Sequence, residues 1–188
     1  MRRLLDSRFG TNVRRWALRP QRARIHDFHY EHVLGTSLEL RVVAARASAA
    51  RRAEAEVLAE VDRLEPILSG WSGTSELARW LATHDADVPV SPELAEVLHA
   101  SAGWRELTGG AFDPAAQAVI DLLRDDGPER SAPHASPLDW PRAPLWLVDR
   151  AAGTARRLSR HAVSLDAIAK GYIVSRAASR AQIGRAHV

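Results

Sequence analysis

The chain has no cysteine, which excludes disulfide staples, thiolate nucleophiles and thiolate-held metals. No apolar run reaches the roughly 20 residues a membrane helix needs, so no transmembrane segment is expected. Lysine is almost as scarce: Lys170 stands alone, and arginine supplies the other 25 of the 26 basic side chains. Acids nearly balance these, at a formal net charge of +3. The basic residues are spread along the chain rather than gathered with aromatics into one face, so no nucleic-acid partner is expected. Residues 1–24 hold eight arginines against the single acid Asp6, and no hydrophobic segment follows them. A secretory signal is therefore not read there. A cytoplasmic location is expected, without excluding export of a longer parent, and residues 1–25 read as a basic, solvated arm.

What is present is enough for one core. A chain of 188 residues that is 46% hydrophobic buries roughly 70% of its unfolded surface on folding without staples. From His26 the pattern becomes structured. "SLELRVV" puts Leu38, Leu40 and Val42 on one face, the period of a half-buried strand and the first well-defined one. Over 48–68 the period changes to three and four, through Val57, Val61, Leu64 and Leu68, with Ser48 as the expected N-cap. "VSPEL" starts another helix with Ser91 as cap, Pro92 at the first position and Glu93 facing the dipole. Leu94, Val97, Leu98 and Leu107 are expected to face inward until Thr108-Gly109-Gly110 ends it. "FDPAAQAVIDLL" repeats the design with Asp113 and Pro114. Five of the ten prolines lie between Pro128 and Pro144, which marks 124–144 as a surface insertion or linker. "LWLVD" and "ARRL" around "RAAGT" read as a hairpin, "AVSL" as a short strand, and Asp166 opens a last helix of about 15 residues. Strands and helices alternate without a regular βαβ period, so the fold class is α+β, with a mixed or antiparallel sheet and packed helices.

Three segments offer chemistry. At 162–180 a helix N-terminus with Lys170 in its first turns suits a phosphate or diphosphate, and Gly171 reads as a point of close approach; the competing reading is a capped surface helix. "TGGAFDP" combines two glycines, an aromatic and an acid, either a ligand-facing turn or a C-cap followed by an N-cap. Trp71, in "LSGWSGTSELARWL", is either a lid over the core or a stacking surface for a flat ring. His26, His29 and His32 recur at three-residue intervals. In a strand only the outer two share a face, so a polar strand is favoured over zinc.

In order, "HVLGTSLEL", "LSGWSGTSELARW", "VSPELAEVLHAS", "ELTGGAFDP" and "VSLDAIAKGY" resemble the FAD:protein FMN transferases, the ApbE-type flavin transferases, from about His29 to Arg180. The resemblance implies an ApbE-like, T-fold-like architecture and binding of FAD. It also implies magnesium-dependent transfer of FMN to a threonine or serine of a target flavoprotein subunit, with release of AMP. Carried across, it puts Leu34 at a methionine that lines the flavin site and Trp71 at a tyrosine beside the flavin. Ala111, Phe112 and Asp113 fall in a segment that holds FAD. The usual "LDLGGIAKGY" aligns Ser164 with an FAD-contacting aspartate, Ala167 with a backbone carbonyl ligand of magnesium and Lys170 with a further FAD contact. Asp166, two residues after Ser164, offers a replacement carboxylate. A compact ammonium suits a crowded diphosphate better than a broad guanidinium, which gives the solitary lysine a reason.

The domain is read as 26–182, with 183–188 as a non-matching tail. The resemblance implies further metal-binding side chains after this point, so a truncated chain is expected, one that binds FAD weakly or not at all and has no transferase activity of its own. A hydrolase that splits FAD into FMN and AMP, and a flavin-binding or scaffold module without chemistry, are the alternative functions.

Overall fold

The computed structural model describes residues 22–116 and 143–183. The backbone of the fold is α1 (Ala47–Leu68), whose buried Val57, Val61, Leu64 and Leu68 form the expected stripe. Its N-cap is Arg46, with no side-chain cap. Ser48 lies one residue inside the helix and does not cap it.

Ahead of α1, β1 (Arg24–Val33) and β2 (Thr36–Ala44) form an antiparallel ribbon in which Phe28 faces Leu40 and Tyr30 faces Leu38. The first strand is thus β1, not the 38–42 segment. Its charged and histidine-rich sequence hid it, because one face of the ribbon is solvent-exposed. Val33 and Thr36 flank a two-residue turn of Leu34 and Gly35, both at positive φ (+53° and +73°), the geometry of a type I′ hairpin. A register shift lies between Tyr30 and Val33, with His32 at φ +61°.

A short helix absent from the sequence reading, α2 (Glu76–Leu81), follows α1. Its N-cap Ser75 accepts the Ala78 N–H at 3.0 Å and donates to the Ser69 carbonyl at 2.7 Å. α3 (Pro92–Leu107) begins as expected, with the Leu94 N–H donating to Ser91 Oγ at 3.2 Å. Leu94, Val97 and Leu98 are buried, but Leu107 is 75% exposed. Nine residues are two and a half turns of a 3.6-residue helix, so Leu107 lies opposite Leu98 rather than beside it.

A three-stranded antiparallel sheet, in the order β3-β5-β4, closes the other side: β3 (Asp87–Pro89), β4 (Trp146–Asp149) and β5 (Thr154–Arg157). β4 and β5 are the expected hairpin; three-residue β3 carries too little pattern to read. Trp80 and Trp146 meet edge-to-face at 5.9 Å and 81°. Each indole N–H finds a carbonyl, Ala155 at 3.4 Å and Leu98 at 3.1 Å, as buried indoles require.

The last helix, α4 (Asp166–Ile183), packs along α1 through Ala169, Ile173 and Ala177. Before it, "AVSL" is not a strand. The Ser164 N–H donates to the Pro114 carbonyl at 2.9 Å, and the Leu165 carbonyl already accepts from Ile168 and Ala169 at 2.9 and 2.8 Å. Most of 1–25, most of 124–144, the later part of the helix read at 112–123, and 184–188 lie outside the described residues.

Candidate functional site

Three elements meet at one end of α1. The hairpin turn brings Leu34 and Gly35, the segment after α1 brings Ser69, Gly70 and Trp71, and the first turns of α4 bring Asp166, Ala169, Lys170 and Ile173. With Glu65 and Leu68 of α1 they line a cleft of about 110 Å³. Four residues singled out in the sequence, Leu34, Trp71, Asp166 and Lys170, are therefore neighbours in space although 136 positions separate the first from the last.

Local chemistry holds each in place. Leu34 sits in left-handed backbone, which costs a non-glycine residue about 1–2 kcal/mol and is accepted here where its side chain forms a wall of the cleft. Ser69 organises the next segment, its Oγ accepting the N–H groups of Trp71 at 3.4 Å and Ser72 at 3.2 Å. Trp71 itself is 81% exposed. It does not lid the core, and its indole is free to be covered by a ligand. Asp166 is the first residue of α4, and its N–H donates to Ser164 Oγ at 3.3 Å. Among the described residues the side chains of Asp166 and Lys170 have no hydrogen-bond or ion-pair partner. The cleft therefore presents one carboxylate and one ammonium uncommitted.

The other candidates lie outside this cleft. Asp113 accepts the Ala115 N–H at 2.8 Å and a charged hydrogen bond from Arg105 Nε at 2.9 Å, with both side chains largely buried. Ala111 is exposed and Phe112 half-buried, its N–H donating to Thr108 Oγ at 3.0 Å. Pro114, next in sequence, ties this segment to the entrance of α4 through Ser164. Ser164 and Ala167 are exposed. Gly171 has open space where a side chain would stand, so no other backbone approaches it closely among the described residues. At Gly70 a Cβ would lie 2.8 Å from Asp166 Oδ1. In the sequence nothing marks Gly70 beside the stronger signal of Trp71.

His29 pairs with Glu31 at 2.7 Å. Among the described residues no group of three or more ligating side chains gathers around a metal position.

Behind the cleft, polar contacts clamp α4 to α1 and α3. Buried Glu60 accepts from Arg63 at 2.8 Å and pairs with Arg180 at 3.6 Å, and Arg63 also donates to Glu93 at 2.7 Å. The Arg63 hydrogen bond holds the Glu60 carboxyl below its ordinary range, outweighing burial, which acts the other way. Tyr172 donates to Glu96 at 2.8 Å. Burial first, and that hydrogen bond second, push its phenol up to about 12.

The ligand expected here can be tested against this geometry. A cleft of about 110 Å³ is smaller than the roughly 300–1,000 Å³ that encloses a drug-sized molecule, so it has room for only one part of a dinucleotide the size of FAD. An uncovered indole, a lone ammonium and a helix N-terminus suit a flat ring and a phosphate. For magnesium, Glu65 supplies a hard oxygen donor at the cleft, in keeping with a cation that takes one or two carboxylates together with substrate phosphates and water.

No curated protein matches the chain. Among solved structures, the ApbE protein of Thermotoga maritima is 21% identical, with a TM-score of 0.65 over 85% of this chain and 53% of its own. The flavin transferase ApbE of Vibrio cholerae is 20% identical, with a TM-score of 0.66 over 86% and 54%. The flavinyl transferase ApbE of Pseudomonas stutzeri is 18% identical, with a TM-score of 0.65 over 86% and 54%. The chain thus spans about half the length of these structures. The ApbE family profile matches residues 34–186, the span that holds the hairpin turn, the tryptophan loop and the lysine-bearing helix, and the chain belongs to the ApbE family.

Proposed function

We propose that the chain forms the flavin-holding part of an FAD:protein FMN transferase. The observation that carries this is the convergence of Leu34, Trp71, Asp166 and Lys170 on one cleft, with the last two uncommitted; membership of the ApbE family supports it. In this reading the flavin ring lies on Trp71, Leu34 walls one side, and the diphosphate sits at the N-terminus of α4 beside Lys170. Helix amides favour the anion there. A small ammonium neutralises it in less space than a guanidinium fork. Ala111, Phe112 and Asp113 hold a further part of FAD in the same reading, their backbone joined to the entrance of α4 through Pro114 and Ser164.

Magnesium, with the Ala167 carbonyl as its donor in this chain, would supply charge neutralisation at the diphosphate. In the transfer, a threonine or serine oxygen of the acceptor bonds to the phosphorus on the flavin side. The bond from that phosphorus to the bridging oxygen breaks, AMP leaves with the oxygen, and the hydroxyl proton is lost to a base. The chain's part is to hold the flavin half still and the phosphorus facing the acceptor. Transfer itself is proposed for a protein of the relatives' full length that carries this sequence.

Incubation with FAD, magnesium and a threonine-bearing target peptide separates the readings. An FMN-labelled peptide with AMP marks the transferase. Free FMN with AMP and no label marks an FAD hydrolase, and bound, unchanged FAD marks a scaffold. The reading predicts FAD binding by the chain and a labelled peptide from the full-length protein; failure of both overturns it.

A further inference from the structure

We infer that Gly70 is a positioning residue for Asp166. By leaving out a side chain, it lets the Asp166 carboxylate lie in the cleft as an acceptor for hydroxyl or N–H donors of the bound flavin nucleotide. The inference rests on the proposed flavin site and deepens it.

Gly70 does not serve backbone conformation. It is absent from the residues at positive φ, whereas Gly35, Gly109, Gly110 and Gly153 all have it, so a residue with a side chain meets no backbone obstacle at 70. What a side chain there meets is the carboxylate. A Cβ would stand 2.8 Å from Asp166 Oδ1, closer than real Cβ atoms come, and in ordinary contact with its Cγ at 3.6 Å. The carboxylate oxygen therefore takes up part of the volume a side chain at position 70 would fill, and an alanine would make it shift from this position.

The neighbouring glycines of the site differ in this respect. Gly35, in the hairpin turn, and Gly171, next to Lys170, have open space around the same construction. Only at Gly70, among the described glycines, is the nearest obstacle a charged ligand-capable group that lines the cleft.

The carboxylate so placed is uncommitted. Its own residue's N–H is taken by Ser164 Oγ at 3.3 Å, but its oxygens accept nothing among the described residues. It stands in the first turn of α4, where the dipole favours a negative charge. Asp166 and Trp71 flank Gly70 on the same cleft. A flat ring on the indole would bring its polar edge or its hydroxylated chain to these oxygens.

The test is a double-mutant cycle on the full chain, read by FAD titration and by melting temperature. Asp166→Gly is expected to weaken FAD roughly tenfold or more, the loss of a charged acceptor. Gly70→Ala should weaken it by a similar factor, and the double variant no further, because Gly70 acts through Asp166. A structural role alone would not produce that: melting should fall for Gly70→Ala and recover when Asp166→Gly is added. Full additivity of the two affinity losses, or an unchanged affinity for Gly70→Ala, overturns the inference. Should the unaltered chain bind no FAD, the functional reading fails and the ligand role of Asp166 with it. The melting cycle then still decides whether Gly70 positions the carboxylate.

Discussion

In the proposed function, Lys170 is the residue on which charge recognition turns. It is uncommitted among the described residues and lines the cleft, so Lys170→Ala is expected to weaken FAD about tenfold with little change in melting temperature. Lys170→Arg should fail to restore it, since the guanidinium needs more room than the cleft offers. Trp71 gives a complementary prediction. At 81% exposure it contributes little to folding, and Trp71→Ala should leave stability within about 0.5 kcal/mol while removing most of the flavin-dependent fluorescence quenching. Leu34 combines strain and contact. Leu34→Asn relieves the left-handed backbone and gives up a partly buried apolar side chain, terms of similar size, so stability should stay within about 1 kcal/mol while FAD binding weakens. Equilibrium denaturation and flavin titration of each variant check these three outcomes.

At the scale of elements, the clamp between α1, α3 and α4 sets the site's rigidity. The carboxyl of Glu60 is lowered from its ordinary 4.5 by the Arg63 hydrogen bond first. A carboxylate lowered in the folded state stabilises fully above the unfolded value and loses that contribution as pH falls through the folded one. Unfolding measured between pH 7 and pH 3 should therefore show a decline beginning near 4.5 that Glu60→Gln blunts. Arg63 is itself 41% exposed, so solvent screening reduces what it contributes. Arg63→Met is expected to cost about 1–3 kcal/mol, mostly through the unpaired Glu60 it leaves behind.

The elements also show what was legible in the sequence. α1 and α3 were readable because a buried stripe at three and four survives any tertiary context, and Ser91-Pro92 states its own cap. β1 was not, since a ribbon with one wet face carries histidines and acids where a buried strand carries valines. "AVSL" has the composition of a strand, yet its backbone is used in one bond to Pro114 and in starting α4. Composition cannot report that. Leu107 was misplaced by following hydrophobicity rather than phase. At the site, Leu34, Trp71, Asp166 and Lys170 were named from the sequence, but their meeting depends on the hairpin turn lying over the α1–α4 junction, which no local pattern encodes. Gly70 escaped notice because its reason is a neighbour 96 positions away.

For the molecule as a whole, the core formed by Trp80, Trp146 and the inward faces of α1, α3 and α4 is a platform whose edge carries the cleft. Binding to the folded form alone raises stability by mass action, so saturating FAD should raise the melting temperature, and Lys170→Ala should shrink that rise. In the proposed function this cleft holds a flavin dinucleotide with its diphosphate at the mouth of α4. A crystal structure of the chain soaked with FAD tests it most directly. The predicted result is a diphosphate oxygen within hydrogen-bonding distance of Lys170 Nζ and the ring system against Trp71. FAD bound elsewhere, with Lys170 extended into bulk water, would contradict it.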